Sequence, residues 1–343
     1  MTTPRIFLAA LLLCAPVFAQ TKTAPKPPGN LNISGDLSYR AGGVRLEANA
    51  QGLARVRLPQ LDASARAIAL DLSGNTISQV RALGSVNFKL NLVPKSGGAP
   101  ARIEATCDSA TLTTAERVLV LKGRVSGFYQ IAGGARNTLR GDAATLRYQG
   151  ENLVADLTGG VTVSVPTESL GRPDALGDVT ITAQRAQINQ SDGSATFAGN
   201  ARAISSGSAN GFDVAAPRFT LTRSANGTIS TLKTVGRTLV KLDLPPDPTR
   251  AGTAASGNSI GKPTRVEVAS DGAIIERATS TATFEGNVKG FYRLIQNGAP
   301  RNFDFAGTRA VIRSLPANAG ARAEFNIDVK DADVKGPAFD LGF

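Results

Sequence analysis

Apolar and polar residues alternate along most of this chain, and clusters of turn residues interrupt the alternation at regular intervals. In VTITAQRAQI (179–188) Val179, Ile181 and Ala183 alternate with Thr180, Thr182 and Gln184, so an extended strand there has one face inside. The turn NQSDGS (189–194) follows, then a second alternating run, ATFAGNARAI (195–204), and the polar loop SSGSANG. A spacing of 3.6 is nowhere sustained. The pattern predicts an all-β chain of antiparallel strands.

The runs repeat. VLVLKGRVSGFYQI (118–131) and TATFEGNVKGFYRL (281–294) stand 163 positions apart, and RIEATCDSA (102–110) matches RVEVASDGA (265–273) at the same offset. Residues 102–147 and 265–313 thus read as two copies of one unit. A weaker motif, Gly followed two positions later by a small or β-branched residue, recurs at Gly84, Gly123, Gly159, Gly199, Gly236 and Gly286. Its spacings are 39, 36, 40, 37 and 50, a period near 38 once the insertion at 244–264 is set aside. Strand parity aims each motif glycine inward, where it either permits a bend and a close approach or relieves a bulge. Stacking such units buries a continuous apolar stripe.

Parity also nominates the inward side chains: Val86, Phe88, Leu121, Val125, Val161, Val163, Phe197, Val240, Phe284 and Val288. Of the pairs Phe128-Tyr129 and Phe291-Tyr292, one ring of each faces in and the other out. Arg124, Arg136, Arg140 and Arg147 fall on a solvated face.

Composition narrows the chemistry. With no His and no Trp, the chain lacks the commonest general base and the commonest transition-metal ligand. Glu104 and Glu267, like Asp108 and Asp271, occupy matching repeat positions, but no partner for catalysis is in view. No catalytic residue, metal site or cofactor is expected, and the chain reads as a non-enzyme.

The first residues have the layout of a secretory signal: Arg5, the apolar run IFLAALLLCAPVF, and VFA before Gln20. Cleavage after Ala19 would leave Cys107 as the one cysteine, with no internal disulfide, and would reduce the net charge of +11 to +10 by removing Arg5. An exported, basic protein is expected to meet anionic material, and export argues against nucleic acid. The expected organisation is a signal peptide (1–19), a Pro-rich tether (20–30), β-repeats (31–243), an inserted loop (244–264) and a continuation of the repeats (265–343).

ITAQRAQINQSDGSATFAGNARAI and RVEVASDGAIIERATSTATFEGNVKGFYRL resemble OstA/LptA-type sequence, the family of periplasmic lipopolysaccharide-transport modules. The pattern covers most of 60–313. The resemblance implies a twisted, two-sheet β-jelly-roll bent like a V or half-pipe. In that family acyl chains of lipopolysaccharide lie between the sheets, and protomers join end to end. It implies that this chain holds a lipopolysaccharide or similar anionic acyl lipid; the motif fixes strands rather than particular contacts, so parity alone nominates the ten inward residues as its contacts. Edge-strand addition to other transport β-jelly-roll proteins, or head-to-tail self-association through a C-terminal segment such as AEFNIDVKDADVKGPAFDLGF, is then expected. The sequence departs from the family in being nearly twice as long as a minimal bridge subunit. Two other classes compete: a structural or adhesive envelope β-solenoid with no lipid cargo, and a polysaccharide-binding β-protein, for which four Tyr and no Trp offer few exposed rings.

Overall fold

In the computed structural model of the chain, the described residues run from 32 to 335, with breaks of which the longest are 93–100, 167–177, 244–262 and 316–323. The expected signal segment, the tether, most of the inserted loop and the C-terminal Phe343 lie outside them. The described residues form strands and turns, with no helix. They divide between two compact bodies: one holds the chain up to 169 with 183–195, the other 170–182, 196–224 and 228–343.

The first body contains β1 (Asn32–Ser34), β2 (Asp36–Arg40), β3 (Gly43–Glu47), β4 (Ala54–Arg57), β5 (Leu61–Ala65), β6 (Ala67–Ser73), β7 (Thr76–Leu92), β8 (Ala101–Thr113), β9 (Val118–Ile131), β10 (Arg136–Gln149) and β11 (Asn152–Val165). Strands β12 (Val179–Asn189) and β13 (Ser194–Ser205) carry residues of both bodies. The second body contains β14 (Phe212–Arg223), β15 (Ile229–Val235), β16 (Thr238–Asp243), β17 (Pro263–Ser270), β18 (Gly272–Glu276), β19 (Thr281–Gln296), β20 (Ala299–Leu315), β21 (Glu324–Lys330) and β22 (Asp333–Lys335).

One device recurs in both bodies. A long strand crosses from one half-sheet to the other, while its neighbour toward the edge is cut in two at the crossing. The first half of β7 pairs with β6 and its second half with β5, all antiparallel. In the second body β19 divides between β18 and β17, β14 between β15 and β16, and β20 between β21 and β22. Pairing in every case is antiparallel, unlike the rungs of a parallel β-solenoid. This is the all-β, antiparallel architecture that the alternation predicts, and it is consistent with the jelly-roll that the resemblance implies.

The bend sits at the motif glycine. Gly84-Ser85 lies opposite the single residue Asp108, Gly123-Arg124 opposite Asp142, and Gly286-Asn287 opposite Thr308. Two residues against one define a β-bulge, which bends the strand and increases its twist. All six motif glycines have left-handed φ, from +73° to +84°. Ser85, Arg124, Asn200 and Asn287 follow with φ from +47° to +53°. Glycine enters that region without the Cβ clash that an L side chain meets there.

Cross-strand rows fill the interior. In one half of the first body the opposed residues are Leu37, Leu46, Ile68, Ala82, Ala110, Leu121, Ala144 and Leu157. Small and large side chains alternate from Ala110 to Leu157, the interdigitation expected of a packed core. In the second body Leu221, Leu232, Ile275, Ala282, Ile312 and Ile327 form an equivalent row. Phe219, Phe284 and Ala310 are fully buried, and the Phe197 and Phe219 rings meet at a centroid distance of 5.2 Å.

Candidate functional site

The ten side chains nominated by parity are all buried: Val86, Phe88, Leu121, Val125, Val161 and Val163 in the first body, and Phe197, Val240, Phe284 and Val288 in the second. Within each body they belong to the apolar rows, and polar atoms on these rows are few. Two such rows run the width of the first body. The second, in the other half-sheet, reads Val56, Ala63, Phe88, Ala105, Gly127, Leu139 and Val163.

The rows end differently from the way they run. Leu46 is 0% exposed, whereas Leu37, directly opposite it on β2, is 64% exposed. Among the described residues β2 pairs on one side only, with β3, and β1 only with β4. The apolar stripe therefore reaches the edge strand and continues into solvent there. In the second body, among the described residues, β21 and β22 likewise pair on one side only, with β20.

The glycines of the GFY triplets have a role that the sequence pattern did not reveal. Gly127 and Gly290 lie on the inner rows, opposite Leu139 and Phe305. A Cβ at Gly290 would stand 2.5 Å from the Phe305 ring and 2.7 Å from the Glu267 carbonyl oxygen. The ring thus covers the glycine, an aromatic occupying the space that a side chain would need. In the same body Tyr292 faces inward and stacks on Phe303 at 5.0 Å and 10°. Burial pushes the Tyr292 phenol above its ordinary range. Phe128 carries Arg136 over its ring at 4.7 Å.

Several charged side chains of the outer faces are paired. Arg55 donates to Asp62 at 2.7 Å, Arg202 donates to Asp213 at 2.7 and 2.8 Å, and Arg124 donates to Asp108 at 2.7 Å. Each guanidinium hydrogen bond holds its carboxylate below the usual range, with charge attraction adding to it and partial desolvation opposing it. Cys107 is a buried free thiol that donates to the Ser109 carbonyl at 3.2 Å. Burial first, then the neighbouring Asp108 charge, pushes its pKa up to about 11. Glu104 meets Lys89 and Arg102, and Glu267 meets Lys241 and Arg265, so both repeat-matched carboxylates are ion-paired. Among the described residues no three His, Cys, Asp or Glu side chains converge as metal ligands.

The fold and the rows define a class: a protein of bent antiparallel β-repeats, with apolar rows inside each body and one such row open at an edge strand of the first body. Among solved structures, it is similar to LptH of Pseudomonas aeruginosa, described as "the LptA homologous periplasmic component of the conserved lipopolysaccharide transport device". The identity is 13%, the match covers 36% of this chain and 80% of that one, and the TM-score is 0.29. No family model matches the sequence. No curated protein matches it either. The fold assignment therefore rests on the strands and pairings of this chain itself.

Proposed function

We propose that this chain is an exported, periplasmic lipid-binding protein of the lipopolysaccharide-export type, holding acyl chains between its half-sheets. The observation that carries the reading is the apolar row that is fully buried at Leu46 and open at Leu37. A row that surfaces at an edge strand gives an alkyl chain a point of entry. Each buried methylene contributes about 0.8 kcal/mol, so several suffice without a polar constellation. Val86, Phe88, Leu121, Val125, Val161 and Val163 are the proposed contacts in the first body, with Phe197, Val240, Phe284 and Val288 in the second. Because these side chains are already out of water, an entering chain must part the half-sheets. The one-sided β1–β2 and β21–β22 edges are the proposed sites for addition of a partner strand, from another transport protein or a second copy.

The same burial favours a second reading, an envelope protein whose interior is filled by its own side chains and which carries no lipid. Native mass spectrometry of protein purified from a membrane-bearing host separates the two. The carrier reading expects a stoichiometric lipopolysaccharide or other acyl lipid, lost on Val125→Asp or Val288→Asp. Since a buried carboxylate can also unfold the chain, Leu37→Arg supplies the exposed control: it should fold normally and load less lipid. Lipid-free protein that also ignores added lipopolysaccharide establishes the structural reading.

A further inference from the structure

The outer face of the first body carries a feature that neither the apolar interior nor the ion pairs explain. A trough of about 590 Å³ lies across β7–β11, within the size range of small-ligand sites. Its floor is a cross-strand row on five consecutive strands: Asn87, Thr106, Ser126, Arg140 and Thr162. Four of these five residues carry a hydroxyl or amide, and the fifth is a guanidinium. Thr138, two residues before Arg140 on β10, lines the trough as well.

Arg140 stands apart from its neighbours. On the same body Arg55, Arg81, Arg102, Arg124 and Arg147 each pair with an Asp or Glu, and Arg136 lies over the Phe128 ring. Among the described residues no carboxylate or other acceptor engages the exposed Arg140 side chain. The one carboxylate lining the trough, Glu104, is held by Lys89 and Arg102. An unpaired guanidinium between Ser126 and Thr162 presents a planar fork of donors, flanked by groups that both donate and accept.

The repeat supplies an internal comparison. Gly127 opposite Leu139 corresponds to Gly290 opposite Phe305, which places Ala306 at the position of Arg140 and Asp304 at that of Thr138. The corresponding row in the second body reads Leu239, Ala269, Lys289, Ala306 and Asp333. Its hydroxyls are gone and an acid has entered. The shared architecture therefore does not require the polar row of the first copy.

We propose that the β7–β11 trough binds a saccharide carrying a carboxylate or phosphate, with Arg140 on the anionic group and Ser126, Thr138 and Thr162 on the sugar hydroxyls. The ligand is a soluble oligosaccharide, and the site is separate from the proposed acyl contacts and does not depend on them. Bidentate geometry suits both anions, and the hydroxyl row suits a polyol in place of water.

Isothermal titration of the purified intact protein tests this with tetragalacturonate and trehalose 6-phosphate as anionic probes. A neutral galactose tetramer and inorganic phosphate are the controls. Saturable binding of at least one anionic sugar is expected, weakened at least about tenfold by Arg140→Gln and several-fold by Thr162→Val, with no change in thermal midpoint. Arg218→Gln, an equal change of charge in the second body, should leave binding unaltered. The proposal is overturned if neither anionic sugar binds, or if the neutral tetramer binds as well. Inorganic phosphate competing as strongly as the sugars would show an anion site without sugar recognition and overturn it too. So would undiminished binding by Arg140→Gln, or equal loss in Arg218→Gln.

Discussion

Gly286 and Asp271 face each other where β17 and β18 are cut and β19 runs on: a Cβ at Gly286 would lie 2.6 Å from Asp271 Oδ2. The same carboxylate accepts from the Asn287 side chain at 2.7 Å, and the Asp271 amide donates to the Gly286 carbonyl at 2.8 Å. The bend is thus a fitted joint of an acid, a left-handed glycine and a donor. Gly286→Ala combines left-handed strain with collision against Asp271, and about 1–3 kcal/mol of destabilisation is expected. Gly160→Ala shares the positive φ of +61° but has open space around it, so it should cost less. Urea midpoints of the two variants provide the comparison, and equal losses would show that the Asp contact contributes nothing.

Gly290 has no left-handed φ to protect, so its need for glycine comes from the Phe305 ring and the Glu267 carbonyl. Gly290→Ala is expected to destabilise by about 1–3 kcal/mol through overpacking. Phe305→Leu should recover part of that loss in the double variant, whose coupling a double-mutant cycle measures. Additive effects would mean that the carbonyl, not the ring, excludes the methyl.

Phe284 is 0% exposed at the centre of its row. Its replacement by Ala is expected to cost about 3–5 kcal/mol, the usual range for a buried aromatic. Truncation of Leu37, at the open end of an equivalent row, should leave stability nearly unchanged. Thermal midpoints of the two variants check the contrast.

Asp213 and Asp62 have folded-state pKa values below their unfolded values, so their contribution is present above the unfolded carboxylate pKa of about 3.9. As pH falls below that value, protonation favours the unfolded chain, so the contribution shrinks and is gone once pH has passed the depressed folded values. Arg202→Gln should therefore flatten the acid limb of the stability–pH curve below about pH 4 and leave it unchanged near neutrality apart from a constant offset. Chemical denaturation across that range reads the slope, and an unaltered slope would exclude the pair as its source.

Cys107 combines a buried site with a pKa of about 11, so its thiolate is scarce at neutral pH. A thiol reagent at pH 8 should leave the Cys107 peptide unlabelled in folded protein and label it fully in denaturant. Rapid labelling of the native chain would show that β8 opens readily.

Alternation alone was enough to place Val125, Phe284 and the other inward residues, because period-2 parity is local and survives in a single sequence. The spacing of the motif glycines likewise marked the bends of β7, β9 and β19. What stayed hidden depends on register. Asp142 meets Gly159 and Asp271 meets Gly286 only because neighbouring strands align them, and no local pattern reports that alignment. Arg140 read as one more solvated cation until pairing set it beside Ser126 and Thr162. The division into two bodies was equally illegible, since the repeat runs on in sequence across β12 and β13.

The terminal edges are cut at the bend like the interior strands. Gly35, at φ +126°, separates β1 from β2, and Asp331, at φ +51°, lies between β21 and β22. A strand laid along either edge must break step at the matching point, and a slip of even one residue turns its side chains to the wrong face. Under the proposed strand addition, each edge would act as a keyed connector: it would discriminate against flat, unbroken peptides and so limit indiscriminate fibre growth, while a partner with its own bend would seat in one register.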